Sequence, residues 1–176
     1  ANGCSGFTFE VADIDELYDA ISCYNGQSPA GDYTITLTTD IEIDDELLDI
    51  EIDSGTDSGD LTIDGDGYRI FGNGDGDYHL NIENDGTGTV YIKNITFTGA
   101  DDEAIQWSGG NLDIRDSYFI DNAYDIYAGG NTNGDLTVVN VEFLIGEGSR
   151  DESYPIYISW SSEAVMTVII CNSSFD

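Results

Sequence analysis

The chain has 176 residues, 40% of them hydrophobic and 11% aromatic, which is enough length and apolar content for one folded domain. The chain has 36 acidic residues and only 4 basic ones, which gives a formal net charge of -32. Nucleic acid and anionic lipid are bound through Lys and Arg, so this charge excludes both as expected partners.

Export from the cell is predicted from the start of the sequence and from its hydropathy. The chain begins at Ala1 without Met, as after removal of a signal peptide. No stretch approaches the roughly 18 apolar residues of a membrane span. We therefore expect a secreted, extracellular or cell-surface protein without a membrane span.

Three cysteines are an odd set for an oxidising compartment. Cys4 and Cys23 flank the first predicted helix, and a bond between them would close a loop of about 20 residues and contribute roughly 3 kcal/mol. Cys171 would then be a free thiol or would bond another molecule. The repeat pattern described below places it on the outer surface of the last turn.

The first predicted element is a helix over residues 13–24. Asp13 and Glu16 have the spacing of a capping box, and Gly26 supplies a stop. Apolar residues recur on one helical face at Ile14, Leu17 and Ile21. We assign residues 1–35 to an N-terminal cap that contains this helix, and residues 36–176 to the remainder of a single domain covering 1–176.

The rest of the chain repeats an eight-residue template. Positions one and three are aliphatic, position five is Asn or Asp, and position eight is Phe. The four copies are Val90–Phe97, Leu112–Phe119, Leu136–Phe143 and Val168–Phe175, and a degenerate copy begins at Leu61. Starts at 61, 90, 112, 136 and 168 give a spacing of 22 to 32 residues, which is typical of one turn of a β-solenoid.

A second family of strands alternates with the first. Its members are Leu80–Ile82, Ala104–Trp107, Asp125–Ala128 and Pro155–Ile158. Strands that recur in the same order in each turn stack in parallel on their own copies. The pattern predicts an all-β fold, a right-handed parallel β-helix with a short N-terminal capping α-helix.

Stacking predicts columns of equivalent side chains along the solenoid. One column is aromatic and contains Phe97, Phe119, Phe143 and Phe175. A second lies at the bend between strands and forms an inward amide ladder of Asn94, Asp116, Asn140 and Asn172. Asn94 and Asn172 also begin N-glycosylation motifs, and burial in this ladder would keep them unmodified.

These repeats resemble the pectate-lyase-like right-handed β-helix superfamily, in particular its surface-protein branch of polymorphic outer membrane proteins and bacterial adhesins. In that branch a helix followed by a strand caps the first turn, and residues 13–24 followed by Tyr33–Leu37 are similar to it. The resemblance covers nearly the whole chain. It implies a fold more than an activity, because this scaffold serves many functions.

One acidic stretch has the composition of an oxygen-ligand loop. It places carboxylates at alternate positions and includes Asp64, Asp66, Asp75 and Asp77. Such loops bind Ca²⁺, which makes calcium the one cofactor that the sequence suggests. The alternative interpretation is a solvated Gly-Asp turn in an acidic protein, since the ligand offsets of an EF-hand are missing.

Two outer stripes are candidates for ligand contact. Lys93 and Arg115 are equivalent positions about 5 Å apart in adjacent turns, where they could hold a carboxylated sugar or pair with nearby Asp and Glu. Tyr127 and Tyr157 are also equivalent and could stack on a sugar, pack on another subunit or face the core. The single His79 has no catalytic partner at a recognisable spacing, so we expect it to be structural and predict no catalytic residues.

The last predicted strand is followed directly by Asp176, so the final turn would present unpaired backbone groups and apolar core. The alternative interpretation is that residue 176 is only where an ordered region, or one domain of a larger adhesin, stops. We therefore expect a non-enzymatic extracellular structural or adhesive protein that assembles head-to-tail into a filament or surface layer. The alternative is a carbohydrate-active module, either a lyase acting on acidic polysaccharide or a binder of cell-surface polysaccharide.

Overall fold

The computed structural model describes residues 4, 6–26, 31–43, 49–52, 59–72, 78–84, 88–129, 134–145, 153–159 and 165–175. These residues form one helix and a succession of short strands. In chain order they are β1 Thr8–Val11, α1 Ile14–Gly26, β2 Tyr33–Leu37, β3 Ile41–Ile43, β4 Asp49–Ile52, β5 Leu61–Asp64, β6 Arg69–Gly72, β7 Tyr78–Asn84, β8 Thr89–Lys93, β9 Thr96–Thr98, β10 Glu103–Gly109, β11 Asn111–Arg115, β12 Tyr118–Ile120, β13 Tyr124–Ala128, β14 Gly134–Val139, β15 Glu142–Leu144, β16 Tyr154–Ile158, β17 Met166–Cys171 and β18 Ser174–Phe175.

The strands wind into three parallel sheets. Sheet A has the order β1-β2-β5-β8-β11-β14-β17, sheet B β3-β6-β9-β12-β15-β18 and sheet C β4-β7-β10-β13-β16. Each turn adds one strand to each sheet, and every pairing is parallel, for example β8 with β11 and β11 with β14. The predicted parallel β-solenoid with a short helix near the N-terminus is confirmed.

Alternation along each strand places one apolar set inside the coil. In sheet A, Val90 and Ile92 lie in register with Leu112 and Ile114 of the next turn, and all four side chains are buried. The predicted aromatic column is also present. The ring centroids of Phe97, Phe119 and Phe143 are 5.2 Å apart at each step, and Phe175 continues the stack at 4.9 Å.

The helix begins at Ile14, directly after the predicted capping residue Asp13, and runs to Gly26, two residues beyond the predicted end. The Glu16 backbone N–H donates to Asp13 Oδ1 at 2.9 Å, and the Ala12 backbone N–H donates to Glu16 Oε2 at 2.8 Å. The apolar face of α1, which includes Leu17 and Ile21, is buried and packs against β1 to β4. The core of the solenoid is therefore covered at this end.

The predicted disulfide joins Cys4 to Cys23, which holds the segment before β1 against α1. Cys171 is a free, exposed thiol on β17. Its register neighbour is Val139, which continues the outer column of Arg115 and Lys93 as predicted. Within the described residues, no helix has the length and hydropathy needed to cross a membrane.

The amide ladder lies at the predicted bend but faces solvent, so the expectation of an inward column is wrong. Its four members adopt positive φ angles between 50° and 54° and are exposed: Asn94, Asp116, Asn140 and Asn172. A left-handed residue turns the chain at the two-residue corner between sheets A and B, and Asn and Asp tolerate that conformation best among non-glycine residues. The conformation, and not burial, explains these residue types.

The inward column at this corner is supplied by the next residue in each turn: Ile95, Ser117, Val141 and Ser173. The Ser117 Oγ accepts the Ile95 backbone N–H at 3.4 Å and donates to the Arg115 carbonyl at 2.7 Å. Ser173 Oγ repeats the pattern with the backbone of Val141. These hydroxyls tie adjacent turns together from inside.

Candidate functional site

The predicted basic stripe lies on the outer face of sheet A. Lys93 and Arg115 are register neighbours on β8 and β11, as the repeat spacing predicted. Lys93 Nζ lies 3.0 Å from Asp64 Oδ2, and the Arg115 guanidinium makes two bonds of 2.6 and 2.7 Å to the Asp113 carboxylate. Both cations are already neutralised by this chain, so an acidic sugar would have to displace an existing ion pair.

The predicted calcium loop is described only in part, because Asp75 and Asp77 lie outside the described residues. Asp64 Oδ1 accepts the Asp66 backbone N–H at 3.0 Å and the Asn94 Nδ2–H at 3.1 Å. Burial acts to raise the pKa of Asp64, but the bonds from Asn94, Asp66 and Lys93 outweigh it and lower the pKa.

The described residues contain no group of three or more His, Cys, Asp or Glu side chains that could hold a metal ion. Asp64 has both carboxylate oxygens bonded within the protein. Calcium binding by Asp64, Asp66, Asp75 and Asp77 stays a prediction.

Four tyrosines form a cluster on the outside of sheet C. Tyr127 stacks on Tyr157 with centroids 5.4 Å apart and an interplanar angle of 10°, and Tyr124 stacks on Tyr154 at 5.2 Å and 14°. The two stacks are steeply inclined to each other, since Tyr124 meets Tyr127 at an interplanar angle of 79° and Tyr154 meets Tyr157 at 70°. Trp107 of the same strand family faces the core, where it is fully buried.

The last turn carries exposed apolar side chains. Val168 and Ile170 are 36% and 43% exposed, whereas their register partners Leu136 and Val138 are fully buried. Phe175 ends the phenyl stack and is 50% exposed. We call the surface made by β16, β17 and β18 the end face. The inward side chains of this face, Val168, Ile170 and Phe175 among them, are apolar because they occupy the positions that the next turn covers elsewhere in the coil.

A buried polar cluster lies at the corner between sheets B and C. Asn122 Nδ2 donates to Asp125 Oδ1 at 2.8 Å and to the Phe97 carbonyl at 3.2 Å, while Asn122 Oδ1 accepts the Ala100 backbone N–H. Burial raises the pKa of Asp125 to about 7, and the carboxylate of Asp121 adds to that rise.

His79 is buried two turns away on β7, as expected of a structural histidine. Burial lowers its pKa to about 4, and neither ring nitrogen has a hydrogen-bond partner among the described residues.

Sequence reasoning did not single out Asp125, although the signal was present. Asp125 occupies the position of His79 and Ala104 in the second strand family, where an acidic residue interrupts an inward column.

A polar groove of ≈ 350 Å³ runs along the corner between sheets A and B. It is lined by side chains from three turns: Asp116, Tyr118, Asn140, Glu142, Asn172 and Ser174. A side-chain hydrogen bond links two turns here, from Asn140 Nδ2 to Asp116 Oδ1 at 3.0 Å.

Comparison of the chain with protein-family models, curated proteins and solved structures found no match. The architecture is that of a parallel β-solenoid. The likeness to pectate-lyase-like proteins and to adhesins stays a hypothesis based on the repeats.

Proposed function

We propose that this chain is a non-enzymatic structural or adhesive protein of the extracellular space, which associates with further copies of itself through the end face. The observation that supports it is the exposure of core-type residues on the turn formed by β16, β17 and β18, Val168, Ile170 and Phe175 among them, a surface that either a further copy or a following turn of a longer chain would cover. A contiguous apolar surface of this kind is typical of an interaction site. The disulfide between Cys4 and Cys23 is compatible with an oxidising extracellular setting.

Backbone geometry also favours association. Strands β16, β17 and β18 lie at the edges of sheets C, A and B, so each can accept one further strand. At the other end, β1 is the edge strand of sheet A, while α1 packs against β3 and β4. A head-to-tail contact would pair β17 of one copy with β1 of the next and would extend sheet A alone.

The charge of the chain opposes association at low ionic strength. Each copy carries a net charge of -32, so two copies repel strongly until salt screens them. Assembly is therefore expected to strengthen as salt concentration rises, as it would for an apolar contact between acidic partners.

The ion pairs on sheet A favour this function over an acidic-polysaccharide lyase or binder. Lys93 and Arg115 are bonded to Asp64 and Asp113, which are themselves acidic neighbours of any bound sugar.

Substitution on β17 tests the proposal with a matched pair. Ile170→Lys places a charge among the inward positions of the end face, whereas Ile169→Lys places the same charge on the outer surface of the same strand. Both side chains are already exposed, so neither variant should lose much folding stability. Light scattering after size exclusion in high salt should show concentration-dependent growth for the wild type and for Ile169→Lys, and monomers for Ile170→Lys.

Monomeric wild-type protein at every salt and protein concentration would refute self-association. If the wild type stops at a dimer, the head-to-tail contact is wrong and two end faces pair through a twofold axis instead. Loss of assembly in Ile169→Lys but not in Ile170→Lys would move the contact to the side of the coil.

A further inference from the structure

Two exposed asparagines at the corner between sheets A and B begin the sequence Asn-x-Ser/Thr. They are Asn94, followed by Ile95 and Thr96, and Asn172, followed by Ser173 and Ser174. We propose that both side chains carry N-linked glycans in the exported protein. The inference rests on the extracellular location included in the proposed function, because this modification belongs to exported chains.

The fold leaves both acceptor side chains in solvent. Asn94 and Asn172 have φ angles of 53° and 50°, and these left-handed corners direct the side chains away from the core while the following residues, Ile95 and Ser173, supply the inward column. A glycan at either position would extend from the outer edge of the coil. No buried apolar contact would be lost.

The hydrogen bond that the Asn94 side-chain amide donates is compatible with the modification. Asn94 Nδ2 donates one N–H to Asp64 Oδ1 at 3.1 Å. A primary amide has two N–H groups, so a glycosylated Nδ2 keeps one of them for this bond. The bend and the glycan can coexist.

The chemistry requires a glycan donor, which we take to be a lipid-pyrophosphate-linked oligosaccharide. A bond forms between the asparagine Nδ2 and the anomeric carbon of the sugar, and the bond from that carbon to the pyrophosphate oxygen breaks. The amide loses one proton, and the lipid pyrophosphate leaves with the bonding electron pair. No oxidation or reduction takes place.

The chain contains its own comparison sites. Asn140 lies at the equivalent corner with a φ angle of 54° and is also exposed, but Val141 and Glu142 follow it, so the hydroxyl residue is missing. Asn140 is as exposed as Asn94 and Asn172 but lacks the motif. Comparing the three therefore distinguishes motif-dependent glycosylation from general reactivity of surface amides. Only Asn94 and Asn172 should be modified.

Mass spectrometry of peptides from the chain isolated from its own host, whichever compartment holds it, tests the inference. Peptides with Asn94 and Asn172 should carry one common glycan mass, and the peptide with Asn140 should not. The same digest reports whether Cys4 and Cys23 are oxidised. Unmodified asparagines beside an intact disulfide would overturn the glycan inference and leave export standing, whereas unmodified asparagines beside reduced cysteines would count against both.

Variants expressed in that host sharpen the result. Thr96→Ala should remove one glycan, and Thr98→Ala, an outward threonine two residues further on, should remove none. Glu142→Thr creates the motif at Asn140 and should add a glycan there. A Thr96→Ala protein that keeps its modification at Asn94 would contradict the proposal.

Discussion

Phe119→Ala is expected to lower the free energy of unfolding by about 3 to 5 kcal/mol, the range for truncating a buried phenylalanine. Phe119 is fully buried in the middle of the phenyl stack, with Phe97 and Phe143 each 5.2 Å away. Its removal leaves a cavity that the paired strands on both sides prevent from closing. Urea unfolding followed by far-UV circular dichroism measures the change.

Tyr118→Ala is the matched control for this substitution. Tyr118 precedes Phe119 on β12, but it points outward and is 44% exposed. Its truncation should cost no more than about 1 kcal/mol, as for ordinary surface substitutions. Equal losses for the two variants would mean that Phe119 does not occupy the interior of the coil.

Asp125→Asn is expected to stabilise the protein above neutral pH and to change its stability little at pH 4. The pKa of Asp125 is raised to about 7 by burial, so the folded protein holds a proton there that the unfolded chain releases near pH 4. The folded state thus binds more protons between these values, and stability falls as pH rises through this window. The full loss is about 4 kcal/mol for a shift of about three units.

Asparagine reproduces the neutral carboxyl in shape and still accepts the Asn122 bond, so the variant escapes this loss. Urea unfolding of wild type and variant at intervals from pH 4 to pH 8 gives the difference directly. Burial lowers the pKa of His79 to about 4, so the contribution of His79 to folding stability rises with pH between about pH 4 and 6.5. Wild type and variant both contain His79, so this contribution cancels in the comparison. Asp135→Asn, on an exposed position of β14, is the control. A difference that does not grow with pH would contradict the account.

The repeats predicted the fold because each turn obeys two local rules at once. The aliphatic residues at positions one and three determine which side chains of the first strand point into the core. The Phe at position eight does the same for the second strand. Stacked copies then have only one in-register arrangement, which is why Lys93, Arg115, Val139 and Cys171 share a column as expected.

The direction of the bend residues was missed because asparagine suits two different environments. An inward amide ladder and an outward left-handed corner both favour Asn over most residues. The serines that follow it were the better signal, since Ser117 and Ser173 alternate with Ile95 and Val141 at the inward position. Ring orientation in the tyrosine cluster depends on packing between turns, which the repeat pattern does not specify.

Spin-label distances along one outer column of sheet A test the stacked coil most directly. Thr34, Thr62, Tyr91, Asp113, Thr137 and Ile169 are successive register partners. Labels at Thr34 and Thr137 are separated by four strand spacings, or about 19 Å, and labels at Thr34 and Ile169 by five, or about 24 Å. With Cys171 replaced by serine, pulsed electron spin resonance should give two narrow distributions whose means differ by about 5 Å, the spacing of one turn. Equal means, or a Thr34 to Ile169 distance shorter than that to Thr137, would contradict the parallel β-solenoid.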